Sequence, residues 1–397
     1  MEHAISLSLT TAAAQPASAD VVIVGGGAIG VSIAWHLASQ GVRNIVVVEK
    51  GQIGKGSSAK PLGGVRANFS DPSNIVLGQR SLKKFANFQQ DFGIDIGLKR
   101  VGYLFLARDS AEADSLVNST AVQNEMDVNS RIVTPREAAE LNPFLNPDAL
   151  MCAAFSPEDG YAQPAKVVEG YVRAAEELGV TFLNCTEVLS IDTQDGAVTA
   201  VTTTRGTIKT NALFNCAGAW GGTVSAMLGV NMPIEPVRRM IGFTPTAPAD
   251  KPHPTVPFTL DLSTTMYFHN AGDALLLGIS HDQDPCYHRE FDFCWLNEFN
   301  DAAAVIAPSL ANPTIECGWA GLYENTPDHD AFIGRSHHIS NYFYATGFSG
   351  HGFLQSPAVG ELMADLYLDR ESFMDPLPFS LERLNAPALT RREVNII

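Results

Sequence analysis

The sequence predicts an α/β fold with α+β character, built from more than one packed unit. An apolar strand, a glycine-rich turn, a helix and a second strand follow one another between Ala19 and Glu49. Residues 181–279 contain a series of short strand-like runs separated by turn residues. The chain has 397 residues, more than one hydrophobic core normally spans. We therefore expect an α/β unit joined to a second unit that is rich in β-structure.

The first strand–helix–strand unit has the pattern of a dinucleotide-binding site. Gly25, Gly27 and Gly30 match the motif GxGxxG directly after the first strand. The first glycine permits a tight turn, the second lets a pyrophosphate approach the backbone, and the third lets helix and strand pack closely. The start of the helix offers free N–H groups to phosphates. Glu49, at the end of the second strand, is suited to ribose hydroxyls and would repel a 2′-phosphate, which argues against NADP.

A Gly/Ser-rich loop over residues 54–66 follows the second strand. The loop either wraps a second phosphate and leads toward a flavin ring or forms a plain surface loop, and this segment alone leaves both alternatives open. The glycine motif by itself predicts a dinucleotide and does not distinguish FAD from NAD.

The remaining elements are predicted from apolar periodicity and turn residues. The sequence Asp195-Gly196 predicts a hairpin turn. A helix is expected from about Ser356 to Leu368, with Pro357 in its first turn, where the missing N–H costs nothing. The other predicted elements are a helix over 164–178 and strands over 181–184, 188–193, 198–203, 207–214, 240–243, 266–269 and 274–279.

The composition excludes several classes of protein. The formal net charge is −17, opposite in sign to that of a nucleic-acid-binding protein. No apolar run reaches the length of a transmembrane segment. No Cys/His cluster has zinc spacing, so no metal is expected, and most of the six cysteines are interpreted as buried residues in a reducing compartment. We expect a cytoplasmic protein. Residues 1–18 are interpreted as a disordered tail, although their alanine-rich stretch leaves export as an alternative.

Six segments of the chain resemble a known family. They are GSSAKPLGGVRANFSDPSN (56–74), VGYLFLARD (101–109), FSPEDGYAQP (155–164), NCAGAW (215–220), WAGLYENTPDHDAFIGR (319–335) and GFSGHGFLQSPAVGEL (347–362). They resemble the D-amino-acid-oxidase-type family of FAD-dependent oxidoreductases, and within it the β subunits of heterotetrameric sarcosine oxidase and of dye-linked L-proline dehydrogenase. The resemblance extends from about Asp20 to Pro378, and residues 319–362 are its most specific part.

The resemblance implies a Rossmann-type FAD-binding domain that is interleaved with a substrate domain built on a mixed or antiparallel sheet. The implied FAD-binding segments are 19–95, 150–230 and 316–380, and the implied substrate-domain segments are 96–149 and 231–315. Residues 381–397 are expected to form a C-terminal tail. The implied cofactor-binding residues are Gly25, Gly27, Ala28, Ile29, Gly30, Glu49, Lys50, Ser57, Ser58, Gly64, Val188, Gly218, Trp220, Gly350, His351, Gly352, Phe353 and Leu354.

The resemblance also implies that FAD is bound without a covalent link. Some relatives tether the flavin through a Cys at the position of Gly321, and others through a His at the position of Lys60. Cys317 lies four residues before the first of these positions. The tethering side chains are therefore missing from the matching positions.

Four residues are implied to lie on the substrate side of the flavin. Arg66 matches an Arg that faces the active site and suits a carboxylate, and the alternative is a surface Arg. Tyr323, and less specifically Tyr267, are expected to line the substrate side, with a structural tyrosine as the alternative. His351 is assigned a role in positioning the cofactor and none in proton transfer, with a histidine that bonds the backbone as the alternative. Arg238 and Arg239 open a predicted strand whose alternation aims only one of them inward; either could help hold a carboxylate, and ordinary salt bridges are the alternative.

The implied activity is oxidation of the C–N bond of a small amino acid, such as proline, sarcosine or an opine. Hydride transfer to flavin N5 would give an imine. Relatives carry lysines at the positions of Leu276 and Leu354, and their absence argues against a fast reaction with oxygen. The electron acceptor is left open between oxygen, a quinone and a partner subunit. A homo-oligomer and a hetero-oligomer are both left open. Two alternatives remain. One is a flavoprotein subunit or assembly factor that acts through a partner. The other is a hydroxy-acid dehydrogenase on the same fold, with His269, His281 or His351 as its base.

Overall fold

The computed structural model describes residues 14–60, 62–280, 283–386 and 393–395. His281 therefore lies outside the described residues. The strands are β1 (Ser18–Val24), β2 (Ile45–Val48), β3 (Gly64–Val65), β4 (Tyr103–Ala107), β5 (Arg131–Val133), β6 (Cys152–Ser156), β7 (Gly160–Tyr161), β8 (Thr181–Leu183), β9 (Val188–Gln194), β10 (Ala197–Thr203), β11 (Gly206–Asn215), β12 (Glu235–Phe243), β13 (Phe258–Asp261), β14 (Met266–Ala271), β15 (Ala274–Ile279), β16 (Cys317–Asn325), β17 (Phe332–Arg335) and β18 (Tyr342–Thr346). The helices are α1 (Ala28–Ser39), α2 (Pro72–Phe92), α3 (Ser110–Glu125), α4 (Pro135–Leu141), α5 (Pro164–Glu177), α6 (Gly221–Ala226), α7 (Leu296–Ile306) and α8 (Gly352–Tyr367).

The first sheet has β1 at its centre, in the order β17-β18-β11-β1-β2-β8. The strands from β18 to β8 run parallel, β17 is antiparallel to β18, and a β9–β10 hairpin extends from β11. Val21 and Ile23 face a core shared with α1, α2, α5 and α8, whereas Val22 and Val24 face a second core. Burial on both faces explains why β1 is a continuous apolar run, as is typical of parallel strands.

The second sheet is mixed, in the order β16-β12-β15-β14-β13-β4-β6-β5, with β13–β4 as its one parallel pair. Successive side chains along each strand point to opposite faces of the sheet. On β14, Met266 and Phe268 pack into a core with α7, whereas Tyr267 belongs to the cluster on the opposite face. The prediction of a Rossmann-type unit combined with a mixed or antiparallel sheet is confirmed.

Two strands belong to the second sheet although the predicted boundaries group them with the FAD-binding segments. These strands are β6 and β16, which pair with β4 and β12. The partners that place these two strands in the sheet are 20 or more positions away in sequence, and the local pattern does not contain that information.

The predicted tails differ from the structure where they are described. At the N-terminus, Ser18 already belongs to β1, and residues 1–13 lie outside the described residues. At the C-terminus, Leu381–Asn385 forms a short 3-10 helix in which Arg383 is fully buried and ion-paired with Asp328 at 2.7 Å. Glu393 and Asn395 are buried as well. The sequence prediction missed this packing because its contacts are distant in the chain.

Helix α8 begins at Gly352, four residues earlier than predicted, so Pro357 lies inside the helix and not in its first turn. Proline lacks the N–H that would bond the carbonyl of Phe353. The hydroxyl of Ser356 donates to that carbonyl at 2.8 Å, which replaces the missing bond. This substitution explains how the helix continues through the proline.

The cysteines are more exposed than expected. Cys185, Cys294 and Cys317 are exposed, and Cys216 is the one that is buried. The expectation that most of them are buried is wrong, because three lie at turns or strand ends, where the period of buried positions does not apply. Among the described residues, no helix is long and apolar enough to span a membrane.

Candidate cofactor and substrate site

A cavity of about 560 Å³ lies between the carboxyl ends of the parallel strands and the second sheet. Val24, Glu49 and Cys216 line it from the ends or continuations of β1, β2 and β11. Ile241 and Tyr267 line it from the second sheet. Ligands of open α/β sheets bind at this edge, because the loops that follow the strands diverge there.

The glycine turn between β1 and α1 is packed so closely that it leaves no room for a side chain at two of its positions. Gly25 has a φ of +107°, and a Cβ there would lie 2.2 Å from the carbonyl oxygen of Cys216. A Cβ on Gly30 would lie 2.0 Å from the carbonyl oxygen of Gly25. Gly30 therefore lies beneath the turn and outside the cavity lining, whereas Gly25, Gly27, Ala28 and Ile29 line the cavity.

The Gly/Ser-rich loop faces this helix start. The hydroxyl of Ser58 accepts from the backbone N–H of Ala28 at 2.8 Å and so caps α1 from a distant position. Ser57 and Ser58 both line the cavity. This loop therefore borders the cavity and is not a plain surface loop.

Glu49 is held by backbone donors at the rim of the cavity. Its carboxylate accepts from the N–H of Gly26 at 3.0 Å and from the N–H of Gly51 at 2.8 Å. These bonds fix the carboxylate while its remaining lone pairs face the cavity that Glu49 lines. A ribose with two hydroxyls suits this acceptor.

A cluster of cations and aromatic rings borders the same part of the cavity. The ammonium of Lys50 lies 3.1 Å from the centre of the Trp220 ring, a cation–π contact. Tyr287 stacks on Trp220 with a centroid distance of 5.3 Å, and Arg289 lies 5.7 Å from the same ring. Burial lowers the pKa of Lys50; Glu187 partly offsets that effect, and the nearby Arg289 adds to it. Val188 and Gly218 line the cavity beside this cluster.

The start of α8 and Glu324 form the opposite part of the lining. Gly350, Gly352 and Phe353 line the cavity, so the positive end of the helix dipole faces it. Burial raises the pKa of Glu324 to about 7, and the backbone N–H groups of Phe348 and Gly347 partly offset that effect. Sequence reasoning missed Glu324. The signal that was available is an acidic residue directly after the mostly apolar run 318–323.

A second, smaller cavity of about 50 Å³ adjoins the first. Leu62, Tyr323, Gly350 and Phe353 line both cavities. The residues that line only the smaller one are Gly63, Gly64, Arg66, Tyr103, Ser349, His351 and Leu354. The structure therefore brings three of the four predicted substrate-side residues together here, and Tyr267 lies across the larger cavity. Gly64, His351 and Leu354, which were predicted to contact the cofactor, face this smaller space.

Arg66 is a buried cation in this second cavity, with 5% of its surface exposed. Its guanidinium donates to the backbone oxygen and the side-chain oxygen of Asn68, at 3.4 and 3.2 Å, and to the backbone oxygen of Asn395. It lies 3.9 Å from the ring centre of Phe69. No carboxylate of the described residues is within ion-pair distance of Arg66. Burial lowers its pKa, and Tyr103, Glu393 and Asp159 partly offset that effect from farther away.

His351 is 3% exposed and packs edge-on against Phe69. Neither ring nitrogen has a hydrogen-bond partner in the part of the chain that the structure describes. The alternative of a histidine that bonds the backbone is therefore not observed. Burial, followed by the charge of Arg66, lowers the pKa of His351 well below its usual value, so the ring is neutral at physiological pH.

Strand alternation separates the two neighbouring arginines as expected. Arg239 lines the larger cavity, with its guanidinium 5.6 Å from the ring centre of Tyr323. Arg238 points away and forms an ion pair with Asp292 at 3.0 Å. Tyr267 is fully buried and Tyr323 is half-buried, and burial raises the pKa of each.

Comparison with known proteins agrees with this geometry. Residues 20–366 match the family model DAO, described as FAD dependent oxidoreductase. L-proline dehydrogenase from P. horikoshii has a crystal structure with a TM-score of 0.88 and 30% identity, over 94% of this chain and 99% of that one. Glycine oxidase of Geobacillus kaustophilus (strain HTA426) is 30% identical over 92% of this chain and 97% of its own length.

Dimethylglycine dehydrogenase, a mitochondrial protein of Rattus norvegicus, is 27% identical over 92% of this chain. The match covers 44% of that protein, so the chain spans about half the length of this relative.

Proposed function

Because the chain belongs to the DAO family of FAD-dependent oxidoreductases, we propose that it uses FAD to oxidise the C–N bond of a small amino acid. The observation that supports this most strongly is Arg66, a buried guanidinium without a carboxylate partner among the described residues, next to the cofactor cavity. A buried unpaired charge is costly. The α-carboxylate of an amino acid supplies the missing anion, and its two oxygens match the guanidinium fork.

The names of the relatives point to the same class of substrate. They are a dehydrogenase of L-proline, an oxidase of glycine and a dehydrogenase of dimethylglycine. All three compounds combine an amine with a carboxylate on the neighbouring carbon. An α-amino acid with a primary, secondary or tertiary amine is therefore the first class to test.

The residues of the chain would bind and orient the substrate. When bound, FAD supplies the hydride acceptor. Arg66 would hold the carboxylate, and Tyr323 and Tyr267 would form the walls beside the reacting carbon. The positive end of α8, next to Gly350, stabilises negative charge that develops in the cavity. No side-chain base is required, because a neutral substrate amine assists loss of the hydride, and His351 stays neutral throughout.

We propose that FAD is retained by non-covalent contacts. Gly25, Gly27 and the start of α1 would hold the pyrophosphate, and Glu49 would hold a ribose. Among the described lining residues, the larger cavity contains one cysteine, Cys216, and no histidine. Burial raises the pKa of the Cys216 thiol, which disfavours the thiolate that a covalent link would need.

The test is reduction of the bound flavin without oxygen. The purified protein is mixed anaerobically with glycine, sarcosine, dimethylglycine, L-proline, D-proline and, as a control, lactate, while the visible absorbance of the flavin is followed. We expect at least one amino acid to bleach the flavin and lactate to leave it oxidised. The proposal fails if no amino acid does so, and bleaching by lactate alone would favour a hydroxy-acid dehydrogenase.

The electron acceptor, partners and location belong to the same proposal. Leu276 and Leu354 stand where relatives carry lysines, so we propose that a quinone or a partner subunit accepts electrons faster than oxygen does. Turnover of the isolated chain with an artificial dye tests this directly. Robust turnover would rule against a purely accessory role. The cytoplasmic location is a separate prediction.

A further inference from the structure

The segment Glu393–Asn395 contacts Arg66, which lines the smaller cavity, although it is far in sequence from the other residues of the site. We propose that Glu393 and Asn395 are positioning residues that hold Arg66 ready for a substrate carboxylate. This inference rests on the proposed function in one respect, namely that the ligand of Arg66 is a carboxylate. It assigns a role to a segment that the sequence predicts to be a tail.

Glu393 anchors the segment through a dense set of hydrogen bonds. Its carboxylate accepts from the N–H and hydroxyl of Ser70 at 2.9 and 2.6 Å, and from the N–H of Asp71 at 3.0 Å. It also accepts from the side chain of Asn74 at 3.3 Å and from the N–H of Asn395 at 2.8 Å. Glu393 is only 1% exposed. These donors surround the start of α2, so the helix dipole also favours a negative charge at this position.

Asn395 transmits this anchoring to the guanidinium. Its backbone oxygen accepts from Nη2 of Arg66, and its side-chain amide donates to the backbone oxygen of Asn68 at 3.0 Å. The side-chain oxygen of Asn68 in turn accepts from Nη1 of Arg66 at 3.2 Å. Both nitrogens at the end of Arg66 are thus held, and the segment supplies one of the two holders.

Neutral oxygens hold the guanidinium, so its positive charge stays available. Amide and carbonyl oxygens fix the orientation of a cation, whereas a directly paired carboxylate would neutralise it. The carboxylate of Glu393 accepts from backbone N–H groups at the start of α2 and lies beyond ion-pair distance of Arg66. A side chain that is already ordered loses less entropy when a ligand binds. Loss of the anchor should therefore weaken the binding of carboxylates without changing the chemical step.

The test uses the FAD-loaded full chain and acetate as the probe. Acetate is titrated into the oxidised protein, and its dissociation constant is read from the change in flavin absorbance. We expect Glu393→Gln to weaken acetate binding about tenfold, which corresponds to the loss of one charge-assisted anchor. Glu393→Asp should recover part of the affinity. Val394→Ala is the matched control, because Val394 is 47% exposed in the same segment.

Asn395→Ala provides a second variant that keeps the backbone oxygen and the bonds to Glu393. It loses only the bond to Asn68, so a smaller loss of acetate affinity is expected. With an amino-acid substrate, Glu393→Gln should raise KM while kcat and flavin content stay close to those of the unmodified protein. This split separates a positioning role from general destabilisation of the fold.

Several results would overturn the inference. Acetate affinity that is the same in Glu393→Gln and the unmodified chain would refute it, as would tighter binding, which would mean that the segment competes with the ligand. An unmodified protein that does not respond to acetate refutes it too. Acetate binding requires no turnover, so it can be measured even if no amino acid reduces the flavin. If acetate affinity then still depends on Glu393, only the proposed substrate class is refuted.

Discussion

Replacing Arg66 by methionine keeps the length of the side chain and removes its charge. In the unmodified site, the guanidinium would meet a carboxylate in a buried cavity, and removal of one partner from such a pair costs about 3–5 kcal/mol. Since each 1.4 kcal/mol is a factor of ten, kcat/KM should fall by roughly two to three and a half orders of magnitude. Arg66→Lys keeps the charge but loses the fork, so its loss should be about 1–2 kcal/mol, roughly tenfold.

The assay is anaerobic flavin reduction by stopped flow over a range of substrate concentrations. The methionine variant also loses the bonds to Asn68 and Asn395, each worth about 1 kcal/mol, so its melting temperature and flavin content must be measured alongside. An amine that lacks the carboxylate serves as the control, because its slow reaction should be affected far less by Arg66→Met. A kcat/KM for the amino acid within threefold of the unmodified value would refute the assignment of Arg66.

Three further substitutions test other parts of the account. Gly27→Val would place a branched side chain where a Cβ already comes within 3.0 Å of the Ser58 hydroxyl, so the purified protein should be nearly colourless, and a fully yellow variant would show that the turn is not the pyrophosphate site. Glu324 has a folded pKa of about 7 against 4.5 when unperturbed, so its ionisation lowers the free energy of unfolding as pH rises through that window. Glu324→Gln should flatten this part of the pH–stability curve by on the order of 3 kcal/mol, and an unchanged slope in chemical denaturation would contradict the burial argument. Arg383→Met leaves the carboxylate of Asp328 buried without its ion pair and should cost about 3–5 kcal/mol of stability, whereas a loss below about 1 kcal/mol would mean that the C-terminal packing contributes little.

The features that local sequence determines were predicted well. The run from Asp20 to Val24, the glycine turn and the helix that follows depend on neighbouring residues, and the structure has a strand, a turn and a helix at those positions. The hairpin at Asp195-Gly196 has positive φ at both residues, as the turn type requires. The family resemblance is confirmed by the match over residues 20–366, and with it the assignment of FAD.

The features that were missed depend on residues far apart in the chain. Glu324 becomes unusual only because burial in the folded protein raises its pKa. Glu393 reaches Ser70 across 323 positions, a pairing that no local pattern contains. The predicted start of α8 was too late because Pro357 was interpreted as a first-turn residue. In the structure Pro357 lies inside the helix, and the hydroxyl of Ser356 donates to the carbonyl of Phe353 in place of the N–H that proline lacks. Nine of the predicted cofactor and substrate residues lie within the 54–66 loop or the 347–354 segment, and their exact contacts with FAD stay a prediction.

The central claim is that this FAD-dependent protein oxidises an amine that carries a carboxylate bound by Arg66. The most direct measurement compares, without oxygen, the rate of flavin reduction by the best amino-acid substrate with the rate for the same amine lacking its carboxylate. The account predicts rapid bleaching by the amino acid and reduction slower by at least about a hundredfold for the decarboxylated amine, in line with the cost of an unpaired buried cation. Equal rates for the two compounds, or no bleaching by any amino acid, would contradict it.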